Sequence, residues 1–297
     1  MLAIVIPYFK LQFFEETLQS LADQTNKDFT VYIGDDASSQ DCRPLLKQFE
    51  GKFSFVYKRF ETNLGSTSLT QQWHRCIDLI ADDTIQWVML LGDDDYMSSN
   101  FVAAFYNNKN EIVHNNFNVI RFATQSFAEN VFSKSYYNPK IEKSTDFVLK
   151  KLKGETRSSL SEYIFNKKQL VKIRFKNLPL AWHSDELAIL EVSNFDTIYS
   201  VNEATIYVRI SDVSISGNQN NTDEKDKASK LFLLLLIQNY SHFFSKGQKS
   251  ELVSVLSRIY FKNQELSLFI KIVFFQLKYN SVKAAFLFIK KQIKRFL

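Results

Sequence analysis

The chain has 297 residues, 45% hydrophobic and 23% charged, with 7 Gly and 4 Pro. Those proportions exclude wholesale disorder and collagen-like or low-complexity classes, and the length allows a sizeable core. The formal net charge of +5 hides an asymmetry: residues 246–297 hold eleven Lys/Arg against two Asp/Glu, which leaves the rest mildly acidic.

In chain order, residues 2–7 (LAIVIP) form a continuous apolar run stopped by Pro7, as in a strand buried on both faces. The start has no basic n-region and no small-residue cleavage site, so it reads as that strand and not as a signal peptide. Phe14, Leu18 and Leu21 fall at helical spacing and predict a helix over 13–23. FTVYIGDD rises into a second strand that ends on acid. Residues 42–51 read as helix, 53–58 as a third strand, and TNLGST as a turn broken by Gly65. A helix over 67–82 carries Leu69, Trp73, Ile77 and Ile80, and WVMLLGDDD is a fourth strand, again ending on acid. Residues 116–127 and 159–175 read as mixed strand and turn, 183–193 as a helix start, and 204–210 as a strand. Residues 211–227 are the best linker candidate, and only helical patterns follow from about 228.

Strands alternating with helices over the first hundred residues predict an α/β fold with a mostly parallel sheet flanked by helices. In such sheets the ligand lies beyond the C-terminal strand ends, so Asp35–Asp36 and Asp93–Asp95 are expected to face one crevice. Adjacent carboxylates repel and raise each other's pKa, and a divalent cation relieves this. Hard oxygen ligands select Mg²⁺ or Mn²⁺. The bland alternative is a solvated acidic turn, but a buried strand leads directly into this one. Zinc-type Cys/His spacing, GxGxxG, the P-loop and GxSxG are all missing, so phosphate falls to a metal and not to a glycine cradle. Cys42 and Cys76 make no disulfide framework and fit a reducing compartment. No run reaches the ~18 apolar residues of a spanning helix.

Five segments in order carry a family likeness: AIVIPYF, TLQSLADQT, DFTVYIGDDASSQD, ETNLGS and WVMLLGDDDYMSSNF. Together they resemble the family 2 glycosyltransferases of GT-A fold, specifically over about 100 residues and more weakly to about residue 217. The resemblance implies a GT-A-like domain over 1–215, with a helical C-terminal extension over 216–297 that it does not cover. It implies transfer of a sugar from a nucleotide-sugar donor to a hydroxyl of a saccharide or lipid-linked saccharide, usually with inversion, in cell-surface polysaccharide or glycolipid synthesis.

The resemblance also implies roles. Pro7 and Tyr8 would line the nucleotide pocket, Asp36 would bond the base, and Asn63 and Gly65 would lie near the nucleotide. Against the family's acid run, Gly92 stands where a first acid is expected. That register makes Asp94 and Asp95 the Mn²⁺ or Mg²⁺ ligands, with Asp93 nearer the ribose or donor sugar; a plain DxD register would choose Asp93 and Asp95. In AWHSDELAIL, Asp185 would be the general base, with Glu186 the runner-up; acids at a helix start are also favoured by the dipole alone. Arg209 would face phosphate, and Ser211 stands where many members have a metal-contacting His. His183 reads as structural.

Val282, Ala285, Phe286, Ile289 and Ile293 share a helical face, with lysines mostly off it. This basic amphipathic pattern suits an anionic membrane surface, and hence a cytoplasmic enzyme peripheral on the inner face of the cell membrane. The competing expectation is packing on the protein. Nucleic acid is not expected as a partner, since acids gather in the site. The alternatives are a nucleotidyltransferase, or a catalytically degenerate sugar-nucleotide-binding or scaffold subunit.

Overall fold

The structure, a computed structural model, describes every residue except 130, 212, 213, 215, 216, 218, 264 and 297. The opening half runs β1 (Leu2–Tyr8), α1 (Phe14–Ala22), β2 (Phe29–Asp35), α2 (Arg43–Lys47), β3 (Ser54–Arg59), α3 (Leu69–Ile77), β4 (Trp87–Leu90), β5 (Tyr96–Met97) and α4 (Phe101–His114). It continues through β6 (Val119–Ala128), β7 (Val131–Phe132), β8 (Ile141–Lys143), α5 (Ser144–Lys153), β9 (Tyr163–Asn166), α6 (Lys167–Ile173), α7 (Ser184–Val192) and β10 (Thr197–Arg209). Helices α8 (Thr222–Gln238), α9 (Lys246–Asn263), α10 (Leu266–Tyr279) and α11 (Val282–Phe296) complete it. The helix α8 therefore takes up part of the segment expected as linker. The expected boundary at 215/216 lies outside the described residues.

The described strands form one sheet in the order β3-β2-β1-β4-β9-β6-β10-β5, with β7 on β6 and β8 on β10. Its first four strands are parallel, and β9 pairs antiparallel to both β4 and β6. Because β1 lies between β2 and β4 and all three run the same way, their C-terminal ends open on one edge. A register shift between Val201 and Thr205 bends β10 along β6. The far end of β10 then returns to that same edge, where the Arg209 amide donates to Asp95.

Strand β1 shows why its sequence lacks alternation. Ala3 and Val5 join one buried cluster, while Leu2, Ile4, Ile6 and Tyr8 join another on the opposite face. Helices α1, α2 and α4 cover the second face, and α3, α5 and α7 cover the first. The first cluster continues without a break into Phe232, Leu236, Leu252, Leu256 and Ile272, so the C-terminal helices share the core of the sheet.

Helix α3 packs so closely on β2 that only glycine fits at position 34: a Cβ there would run into Cys76 Sγ. Gly34→Ala should cost about 1–3 kcal/mol by overpacking. In urea denaturation, adding Cys76→Ala should recover much of that loss. A single Gly34→Ala with wild-type stability would remove the contact from the account.

Candidate active site

A cavity of about 430 Å³ opens at the C-terminal edge of β1, β2 and β4. Pro7, Asp36, Asn63, Gly65, Asp93 and Asp94 all line it. These side chains lie far apart in sequence, and the strand order brings them together. Phe9, Lys10, Leu69, Trp73 and Ser161 complete much of the wall.

Two carboxylates hold the loops in place. Asp36 accepts from the amides of Leu64 and Gly65, each at 2.8 Å, and pairs with Arg75, which also donates to the Thr62 carbonyl at 2.8 Å. The Arg75 guanidinium lies over the Phe60 ring. A Cβ at Gly65 would come within 2.5 Å of Asp36 Oδ2, which is why glycine stands there. Asp93 Oδ2 accepts from the amides of Phe9 and Lys10, each at 2.7 Å. Asp35, beside Asp36, is spent on structure: it takes Tyr57 Oη at 2.6 Å, Arg59 at 2.8 Å and the Ser38 amide at 2.8 Å.

The three acids after β4 point to different places. Asp95 is buried and does not line the cavity; it accepts from Ser161 Oγ at 2.5 Å and from the Arg209 amide at 3.0 Å. Ser161 Oγ also takes the Gly92 amide at 3.1 Å, which fixes the turn. A Cβ at Gly92 would sit 3.0 Å from carboxylate oxygens of both Asp94 and Asp95, so the glycine leaves them room. Burial pushes Asp93 up to about 6. Burial, then the neighbouring Asp94, pushes Asp95 up to about 7. Burial also raises Asp94.

Three expected residues are placed otherwise than the resemblance implies. The Tyr8 ring is fully buried against Phe14, its hydroxyl donating to the Gln40 carbonyl at 2.7 Å, and Phe9 and Lys10 reach the cavity instead. Asp95 braces the turn with both oxygens engaged. The Arg209 guanidinium lies between Phe13 and Phe127, bonded to Glu16 at 2.6 Å and to the Asp94 carbonyl at 3.2 Å, so it lies outside the cavity wall. Lys10, Trp73 and Ser161 were not anticipated. The first follows PYF directly, but nothing local marks the other two as cavity residues.

The remaining donor set suits a hard divalent cation. Among the described residues no hydrogen bond or ion pair engages the Asp94 carboxylate, which faces the cavity beside acids whose pKa values burial has raised. Also among the described residues, no three His, Cys, Asp or Glu side chains converge as a preformed cage. An ion held here would take its other ligands from water and diphosphate. Ser211 Oγ is buried with no hydrogen-bond partner among the described residues.

A second chamber of about 170 Å³ adjoins the first, and Leu69, Trp73 and Leu160 line both. Asp185 opens into this chamber at the start of α7. Burial, then the adjacent Glu186 charge, raises the Asp185 pKa well above the usual carboxylate range. Burial opposes the Glu186 charge as well, but His183 and Lys151 outweigh it and hold that carboxyl well below its ordinary value. Their atoms lie 3.4 and 3.5 Å from Glu186, an electrostatic contact and not a hydrogen bond for His183. His183 has no metal role here: it stacks on Phe232 at 4.7 Å and bonds Ser229 Oγ at 2.9 Å.

An α/β sheet with helices on both faces and an acidic cleft at its strand ends matches the GT-A architecture of glycosyltransferases. The sequence pattern described as Glycosyl transferase family 2 matches residues 3–160, and the chain belongs to that family. Solved structures agree in fold. The 1–349 fragment of S. aureus TarS in complex with UDP-GlcNAc is 15% identical, with a TM-score of 0.66 over 97% of this chain and 80% of that one. The same fragment in complex with UDP is 16% identical, with a TM-score of 0.62 over 91% and 75%. A longer S. aureus TarS structure is 16% identical, with a TM-score of 0.59 over 87% and 43%. No curated protein matches by sequence. The chain is thus a family 2 glycosyltransferase of GT-A fold.

Proposed function

We propose that this enzyme transfers a sugar from a uridine-diphosphate donor, with inversion and with Mn²⁺ or Mg²⁺, to a hydroxyl of a saccharide or lipid-linked saccharide. The product would be a cell-surface polysaccharide or glycolipid. One observation carries the reading: the acid-lined cavity and the Asp185 chamber meet at Leu69, Trp73 and Leu160, so donor and base lie on either side of one junction. The UDP-GlcNAc and UDP complexes of TarS support the donor class.

The chemistry follows from the residues. Asp36 and the Asn63–Gly65 loop take the base, with Pro7 beside them. The acceptor hydroxyl enters the second chamber, and Asp185 Oδ takes its proton as the oxygen attacks the anomeric carbon. The diphosphate leaves from the opposite face with the bonding electron pair. Asp94 would hold a divalent cation, which would supply positive charge to that leaving group. Asp95 keeps Asp94 in place, and Arg209 holds the turn from below. A carboxylate whose pKa is raised is a stronger base than an ordinary one.

Asp94→Ala should lose the Mn²⁺-dependent thermal shift given by UDP-sugars while melting like wild type without ligand. Binding at a hundredfold excess over Kd stabilises by about 2.7 kcal/mol, a readable shift. An intact shift in the variant refutes the metal assignment.

Asp185→Asn should keep that shift and lower kcat by about 10²–10⁴. The base works ionised, so wild-type kcat/KM should fall as pH drops through the raised Asp185 pKa, above the range of an ordinary carboxylate. A fully active Asp185→Asn with a dead Glu186→Gln would move the base one residue along.

The membrane part of the proposal now rests on two helices. The expected face of α11 is split: Ala285 is buried while Val282, Phe286 and Ile293 face out, and Phe288, off that face, packs into the core. Leu266, Ile270, Phe274 and Leu277 of α10 are exposed beside them, at 51–73%. Lys271, Lys278, Lys283 and Lys290 flank this surface. Such an apolar patch rimmed by lysines fits anionic lipid. A second copy would bring like charges together. No helix among the described residues is long and apolar enough to cross a membrane. Full-length protein should float with vesicles of 30% anionic lipid at low salt, and Phe274→Glu with Phe286→Glu should abolish flotation without lowering Tm. Failure of the wild type to float would refute it.

A further inference from the structure

A second cavity, about 560 Å³, opens at the opposite end of the sheet. It lies where β4 starts, β9 ends and the α4–β6 connection passes. Six residues of extended chain, about 20 Å, separate Trp87 in its wall from Asp93 in the active site. Neither the acid turn nor any residue assigned above belongs to it.

We propose that this cavity binds a hydroxyl-rich saccharide segment that carries negative charge. Its walls present carboxamides: the side chains of Gln86 and Asn116, both exposed, and of half-buried Asn118 make no protein hydrogen bond among the described residues. A carboxamide offers two donors and a two-lone-pair acceptor, which matches the mixed donor and acceptor character of neighbouring sugar hydroxyls. Trp87 and Phe117 supply buried rings in the same wall, and the indole N–H of Trp87 is buried without a partner. A buried donor left unpaired costs stability, and a ligand that parts the wall would offer it a hydroxyl acceptor.

The frame is rigid where it matters. The Asn166 amide donates to the Asn118 carbonyl, and the Lys167 amide to the Gln86 carbonyl, each at 2.8 Å. Gln86 and Asn118 thus stand on paired backbone, with Asn116 in the turn after α4. Lys167 and Lys168 outnumber the lining acid Asp83, which favours an anionic chain. Lys167 is already tied to the Asp82 carbonyl at 3.1 Å, so Lys168 carries most of the charge selection. If the transfer reading above holds, an acceptor polymer gripped here would stay with the enzyme between transfers.

The test is NMR of ¹⁵N-indole-labelled full-length protein, titrated with a galacturonate hexamer and, separately, with maltohexaose. Trp87, identified by Trp87→Phe, should shift with the galacturonate hexamer, and any shift of Trp73 or Trp182 would report the Asp185 chamber separately. Maltohexaose should bind at least tenfold more weakly, and raising salt should weaken only the anionic chain. Asn118→Ala with Lys168→Glu, both outward-facing positions, should cut galacturonate affinity at least tenfold with unchanged Tm. No Trp87 shift with galacturonate, equal binding of the neutral chain, or undiminished binding by the double variant overturns the proposal. UDP-sugar binding is read in parallel; its absence in wild type would count against the proposed transfer and not against this site.

Discussion

Two carboxylates each gripping two backbone amides hold the active-site edge together. Asp36 at the end of β2 takes Leu64 and Gly65, and Asp93 beyond β4 takes Phe9 and Lys10. The cavity is the space left between these clamps. Hydrogen bonds to charged acceptors are worth about 1.5–3 kcal/mol each, enough to fix loops that carry little apolar surface of their own. The arrangement has a cost, because it collects acids where burial raises their pKa values. Under the proposed function a cation arriving with its diphosphate would relieve that negative potential, so the charges that hold the loops would be the ones the ligand satisfies.

Much of this was legible in the sequence because buried parallel strands write themselves as unbroken apolar runs, and the acids after them mark their C-terminal ends. The runs LAIVIP and WVMLL correspond to β1 and β4. Less was legible where tertiary packing overrides local preference. Helix α4 carries Asn107, Asn108 and Asn110, poor helix formers, yet it holds because Phe101, Val102, Phe105 and Ile112 are buried. Strand β10 runs from Thr197 to Arg209, through a bulge that no alternation of residues announces. Within the acid triplet, identity was readable and direction was not. Whether a carboxylate faces a cavity or a serine depends on Ser161 and Arg209, which lie 66 and 114 residues away from Asp95.

The same lesson applies to Tyr8 and Arg209. Each sits in the segment the family likeness singles out, and each side chain turns to another purpose. Tyr8 fills the core under the loop that Gln40 closes, and Arg209 props the acid turn from beneath with its ring contacts and its bond to Glu16. A motif places a backbone at the site. Which side chain then enters the cavity is decided by the pleat of β1 and by the packing of Phe13, Phe14 and Phe127, and that is why Phe9 and Lys10 take the place expected of their neighbour.

The chamber that Asp185 lines is braced by the C-terminal helices. The entry to α7 is strained: Leu180, Ala181 and His183 all have positive φ, at 56°, 53° and 67°. Non-glycine residues hold such conformations only where their surroundings over-determine them. Here the surroundings are α8, whose Phe232 stacks on the His183 ring and whose Ser229 bonds it. His183 in turn stands beside Glu186, and the charge kept on Glu186 is one of the causes that raise Asp185. Helix α8 thus packs on His183, and His183 stands against Glu186 beside Asp185. Under the proposed function the opening strands would carry the donor and the helix packed on them would fix the surroundings of the base, so both parts of the chain would serve one site.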